Sequence, residues 1–195
     1  MSNKNKVNNH TSNEVKESNN KINNLELVVY TDGSYRGGIN EASYAAIVLY
    51  EGIEELIIAG KAKSKDKITN CNEIELLAVL NILKEIEKRK INENIKITLR
   101  SDSNYVCKGI NRSKNKKLKI KPEYNTTIWQ QIYYIFKKIK FECEFVKGHN
   151  GDHYNTFCDR LCKLILEEDK IKIKNLLSEY NLESNLLLNS KLILI

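Results

Sequence analysis

Apolar positions along the chain alternate between two rhythms. Leu25–Thr31, Ser43–Tyr50 and Ile53–Lys61 are short runs rich in Val, Ile, Leu and Tyr, which predicts strands. Glu51-Gly52 separates the second run from the third and is a hairpin signal, so the first three strands form an antiparallel meander. Asn70–Lys90 then changes to a helical period. Ile74, Leu77, Ala78, Leu80 and Ile82 supply a broad apolar face, and Asn70 or Asn72 is the N-cap. A fourth strand follows at Ile95–Leu99, then a short helix at Ser103–Ile110. The single proline, Pro122, precedes a helix at Tyr124–Ile139 that carries Trp129, Ile132, Ile135 and Phe136. Phe141–Lys147 is a fifth strand and His153–Glu168 a third long helix. The order βββ-α-β-α-α-β-α predicts an α/β fold with a five-stranded mixed sheet, three antiparallel strands followed by parallel additions, flanked by helices.

The two ends fall outside this alternation. Residues 1–24 are rich in Asn, Lys and Ser with almost no apolar positions, which predicts a disordered polar tail. Residues 25–168 form the expected folded domain, and 169–195 a helical extension with periodicity around Leu176, Leu177 and Tyr180. The net charge is +7, and a basic balance favours an anionic partner, most simply a nucleic acid. Much of that charge sits in Asn111–Lys121, which holds Arg112, Lys114, Lys116, Lys117, Lys119 and Lys121. Five scattered cysteines argue against a disulfide framework and for a reducing compartment. Cys158 and Cys162 lie one helical turn apart, but no second pair at zinc spacing accompanies them. No stretch reaches membrane-spanning length and the N-terminal residues are polar, so the expectation is an intracellular protein, cytoplasmic and monomeric, without an obligate protein partner.

Four acidic residues sit at element joints. Asp32 ends the first strand at an Asp-Gly turn, Glu75 lies in the first turns of the long helix, Asp102 directly follows the fourth strand, and Asp159 lies on the last long helix. Strands one and four can be neighbours, which would set Asp32 beside Asp102. Clustered carboxylates repel unless cations neutralise them, and hard oxygen ligands suit Mg²⁺ or Mn²⁺. Two such ions can activate a water and stabilise the leaving oxygen of a phosphodiester. Glu73 competes with Glu75: the two cannot share a helix face, Glu75 flanks the apolar stripe, and periodicity separates them only weakly. His149 follows a strand in a loop bracketed by Gly148 and Gly151, where a histidine near carboxylates can move protons or assist product release.

These residues carry a resemblance. TDGS (Thr31–Ser34), NEIEL (Asn72–Leu76), SDSNYVCKGI (Ser101–Ile110) and VKGHNGDHYNTFCD (Val146–Asp159) resemble, in this order, the motifs of the type 1 ribonuclease H family over about Leu25–Leu166. The resemblance implies an enzyme that cleaves the RNA strand of RNA/DNA hybrids, leaving 5′-phosphate and 3′-hydroxyl ends. It makes Asp32, Glu75, Asp102 and Asp159 the metal-binding catalytic carboxylates, with two Mg²⁺ replaceable by Mn²⁺. His149 becomes the assisting histidine, and Glu75 is favoured over Glu73. Substrate contacts are implied for Gly33, Ser34, Asn70, Asn72 and Asn155, with Lys116 and Lys117 of the basic loop neutralising phosphates. Two positions depart from the family pattern. Gly38 stands where an Asn is usual, and Cys71 interrupts the Asn-rich segment before Glu75, so substrate grip rather than chemistry is affected. The alternative is a non-catalytic hybrid- or dsRNA-binding module of the same fold; the presence of all four carboxylates weighs against it.

Overall fold

The computed structural model describes residues 26–38, 40–62, 70–90, 95–113, 126–139, 141–148, 151–182 and 192–194. The tail 1–24, Lys116, Lys117, most of the basic loop and His149 lie outside the described residues.

Strands β1 (Glu26–Arg36), β2 (Glu41–Tyr50) and β3 (Ile53–Lys61) form the antiparallel meander. Glu51 and Gly52, both at positive φ, make the two-residue turn between β2 and β3, the conformation that matches strand twist in a tight hairpin. Helix α1 (Cys71–Lys88) leads to β4 (Lys96–Ser101), which pairs with β1 in parallel; α2 (Asn104–Ser113) and α3 (Thr126–Phe136) follow. Strand β5 (Phe141–Phe145) pairs with β4 in parallel, and α4 (His153–Glu167) and α5 (Lys170–Glu179) come next. A short strand β6 (Leu192–Leu194) lies parallel to β3 and adds a sixth strand, one more than the sequence rhythm predicts, giving the order β5-β4-β1-β2-β3-β6. Three residues are too few for periodicity to separate a strand from a helix end.

The sheet is covered on both faces, as side-chain alternation dictates. Leu27 and Val29 of β1 join Ile74, Ala78, Ile82 and Ile86 of α1, and Trp129 and Ile132 of α3, in one core. Tyr30 joins Phe157, Cys158, Leu161 and Cys162 of α4, and Leu176 and Leu177 of α5, in the other. Asn70 caps α1 by accepting the Glu73 N–H at 3.1 Å, and Asp152 caps α4 by accepting the Asn155 N–H at 3.0 Å. These caps fix where each helix begins, and with it the depth at which Glu75 and Asp159 sit.

Three expectations change. β1 does not end at Thr31: it runs to Arg36, because β2 continues to pair with it through Arg36↔Glu41. Asp32 therefore lies within a strand, just beyond the last β1–β4 pair, Tyr30↔Arg100. Helix α2 reaches Ser113, so Arg112 belongs to a helix and not to the basic loop. Cys107 of α2 and Cys143 of β5 are joined by a disulfide with Cα atoms 5.1 Å apart; α2 packs back across β5 and makes neighbours of residues 36 apart in sequence. Cys71, Cys158 and Cys162 are free thiols. Among the described residues no helix is long and apolar enough to cross a membrane.

Candidate active site

The site forms where β1 and β4 part. Side by side and parallel up to Tyr30↔Arg100, the two strands deliver Asp32 and Asp102 to the same end of the sheet. Asp102 occupies the sharp passage from β4 into α2. The Ser101 hydroxyl accepts the Ser103 N–H at 3.1 Å, and the Ser103 hydroxyl accepts the Val106 N–H to start the helix.

Glu75 reaches the same point from α1. Its approach depends on Gly33, where a Cβ would lie 2.6 Å from Ile74 Cγ2 and 3.0 Å from the Glu75 backbone nitrogen. Only a residue without a side chain lets the first turns of α1 press on β1 here. Carboxylate oxygens of Asp32, Glu75 and Asp102 all lie within 4.8 Å of one another. Glu73, two residues away, supplies instead the N–H that Asn70 caps.

Asp159 enters from the opposite face on α4. Its Oδ2 is held by Lys163 Nζ at 2.7 Å, and its charge still reaches Asp32. Asn155, one helical turn before Asp159, is 3% exposed and donates from Nδ2 to Asp102 Oδ2 at 3.3 Å. Asn155, Asp159 and Lys163 form one i, i+4 row along α4 that faces the site. On the other side of Asp102, Val146 N–H donates to Ser101 O at 3.0 Å and carries the chain past β5, so that Gly148 lies directly over the carboxylate. A Cβ at Gly148 would sit 2.6 Å from Asp102 Oδ2.

The electrostatics are those of compressed negative charge. Burial, with the nearby charges of Asp102 and Asp159, pushes Asp32 up to about 7, against the Gly33 N–H that it accepts at 2.7 Å. Burial, then Asp32 and Asp102, holds Glu75 well above the usual carboxylate range. Glu75 Oε2 is buried and has no hydrogen-bond partner among the described residues. An orphaned buried oxygen on a carboxylate clustered with two others is costly by itself, and a cation relieves it. An all-oxygen, anionic donor set fits a hard divalent ion. Cys158 and Cys162 lie beneath on α4 and are unsuited to this role: burial pushes both thiols up, and Cys162 Sγ–H is spent on the Asp32 carbonyl at 3.4 Å.

The remaining residues singled out by sequence fall around this cluster. Gly33 and Ser34 continue β1 beyond Asp32, Asn70 caps α1, and Asn72 is exposed in its first turn. His149, Lys116 and Lys117 lie outside the described residues. Sequence reasoning missed Gly148 and Lys163. The i, i+4 spacing of Lys163 from Asp159 was a usable signal; the approach of Gly148 to Asp102 is tertiary and leaves no local trace.

Residues 24–167 match the family model for RNase H. The chain belongs to the ribonuclease H family. Ribonuclease H of Neorickettsia sennetsu is 33% identical over 145 residues, covering 71% of this chain and 91% of that protein. Ribonuclease H of Helicobacter acinonychis is 36% identical over 144 residues, covering 71% and 92%. Among solved structures, RNase H1 of Halobacterium salinarum superposes with a TM-score of 0.58 at 16% identity, covering 73% of this chain and 98% of that one. LC11-RNase H1, solved in complex with an RNA/DNA hybrid, gives 0.58 at 17%, covering 73% and 97%. At these identities the structures share the fold, and it is the family match and the sequence relatives that make this chain a ribonuclease H enzyme.

Proposed function

We propose that this ribonuclease H hydrolyses the RNA strand of RNA/DNA hybrids as an endonuclease, with two divalent ions, Mg²⁺ or Mn²⁺, and leaves 5′-phosphate and 3′-hydroxyl ends. The observation that carries the reading is the triplet of buried Asp32 with half-buried Glu75 and Asp102, with oxygens within 4.8 Å and an orphaned oxygen on Glu75. Asp32, Glu75 and Asp102 would hold the ions, with Asp159 completing the donor set. When bound, such ions activate a water and stabilise the departing oxygen of the phosphodiester. Asn155 keeps Asp102 in one rotamer through its amide, and Lys163 holds the Asp159 carboxylate in an ion pair at 2.7 Å. His149, by resemblance, assists turnover by moving protons or releasing product. Restriction to the RNA strand rests on its 2′-hydroxyl, which separates RNA from DNA at a given position.

The test is cleavage of a hybrid labelled on each strand in turn, in Mg²⁺ and in EDTA, beside duplex RNA and duplex DNA. The reading expects metal-dependent cutting of the RNA strand of the hybrid only. Cutting of duplex DNA, or equal cutting in EDTA, contradicts it.

A further inference from the structure

Helix α2 begins two residues after Asp102 and exposes a row that the carboxylate site does not use. Asn104, Lys108 and Arg112 recur every four residues on the exposed face, while Val106, Cys107 and Ile110 are buried on the other. The row runs about 12 Å away from the site at 1.5 Å per residue. Across from it stands Phe145, the last residue of β5, which is 49% exposed. Between them lies a groove of about 370 Å³ lined by Asn104, Cys107, Lys108, Asn111, Arg112 and Phe145.

The walls are fixed. Asn111 pairs with β5 as a strand would: its Nδ2 donates to the Cys143 carbonyl at 2.7 Å and its Oδ1 accepts the Cys143 N–H at 3.2 Å. The Cys107–Cys143 disulfide ties the same two elements. Among the described residues no carboxylate lines the groove and none pairs with Lys108 or Arg112, whereas Lys61, Lys96, Arg100, Lys138 and Arg160 are all in ion pairs. The groove also adjoins the site along the chain: Asn104 follows Asp102 by two residues, and Phe145 leads through Val146 to Gly148 over Asp102.

We propose that this groove binds a single-stranded nucleic-acid segment flanking the hybrid, with Lys108 and Arg112 on its phosphates and a base stacked on Phe145. An aromatic ring stacks on a base with a free face, which an unpaired overhang offers and the interior of a duplex does not. Two cations one helical turn apart on a rigid helix neutralise a backbone without reading its sequence. The proposal rests on the hybrid-cleaving reading, because it places the overhang next to that substrate.

The experiment measures binding by fluorescence anisotropy in EDTA, where no cleavage occurs, for a blunt hybrid and for the same hybrid with an eight-nucleotide 5′ or 3′ single-stranded tail. Because the groove lies on one side of the carboxylates, one tail polarity binds about tenfold more tightly than the blunt hybrid. Phe145→Ala removes that preference and Phe145→Trp retains it. Lys108→Ala with Arg112→Ala weakens tailed substrates and lowers the slope of log affinity against log salt by about 1.4. Equal affinity for tailed and blunt hybrids, or a tail preference that survives both Phe145→Ala and the double substitution, overturns the proposal. Cleavage of the blunt hybrid by the wild-type chain in Mg²⁺ is scored separately: its absence refutes the hybrid-cleaving reading, while cleavage without tail preference refutes the groove alone.

Discussion

Replacing Asp32 with asparagine should make the metal-free protein more stable while removing its activity. Asp32 is 6% exposed, and burial with its acidic neighbours raises it from 3.8 to about 7. The folded state then keeps a proton that the unfolded chain has released. Stability conferred by that proton is full below the unfolded value and falls as pH rises from about 4 to about 7. At about 1.4 kcal/mol per pH unit, the loss by pH 8 is about 4 kcal/mol if Asp32 alone holds the proton. Glu75 is raised by the same burial and by Asp32 itself, so part of the gain belongs to the pair and about 2–4 kcal/mol is the expected range for one residue. The substituted side chain keeps an amide oxygen for the Gly33 N–H and brings no charge. Urea denaturation in EDTA, followed by the buried and only tryptophan, Trp129, reads the effect. Asp32→Asn should exceed wild type by about 2–4 kcal/mol at pH 8, and the two should converge near pH 4. Saturating Mg²⁺ should close the gap at pH 8 by stabilising wild type by about 3 kcal/mol at one hundred times its dissociation constant. Wild-type stability that is flat or rises between pH 5 and pH 8 in EDTA refutes the reasoning, as does a less stable Asp32→Asn at pH 8.

Other substitutions probe the parts around the cluster. Glu75→Gln should abolish cleavage and raise metal-free stability, since burial and the charges of Asp32 and Asp102 oppose ionisation of Glu75; parallel hybrid-cleavage and urea measurements check both. Asn155→Ala takes away the amide that holds Asp102 Oδ2 and should lower kcat by about 10- to 100-fold with little change in KM, measured by steady-state cleavage. Gly148→Ala would force a methyl group against Asp102 and should cost about 100-fold in activity, while circular dichroism stays that of a folded chain. Asn70→Ala removes the α1 cap and should destabilise the protein by about 1 kcal/mol in urea, without the loss of activity that follows removal of a carboxylate.

The sheet and its helices were legible because their signals are local. Short runs rich in Val, Ile, Leu and Tyr mark β1 to β3, the Glu51-Gly52 turn sets the hairpin, and the period of Ile74, Ala78 and Ile82 marks α1. That Asp32 and Asp102 meet followed from placing strands one and four side by side, which the parallel β1–β4 pairing realises. Glu75 over Glu73 was not settled by periodicity; the approach that Gly33 permits brings Glu75 to the other two carboxylates. What stayed hidden is what depends on partners distant in sequence. The Asp32-Gly33 pair signals a strand end, and the pairing that continues β1 to Arg36 comes from β2. The Cys107–Cys143 bridge, the position of Gly148 over Asp102 and the strand-like pairing of Asn111 with β5 each join segments far apart in the chain, where no periodic pattern reports. Phe145 read as an ordinary member of a strand, and only its exposure beside Lys108 and Arg112 sets it apart.

The central claim is that the Asp32, Glu75 and Asp102 cluster, with Asp159, is a metal-dependent nuclease centre for hybrids. The most direct measurement is cleavage of a strand-labelled RNA/DNA hybrid in Mg²⁺ by wild type and by Asp102→Asn, with hybrid binding of both proteins measured in EDTA. Wild type should cut the RNA strand, Asp102→Asn should not, and both should bind. Cleavage by Asp102→Asn at the wild-type rate, or binding without cleavage by wild type in both Mg²⁺ and Mn²⁺, contradicts the claim.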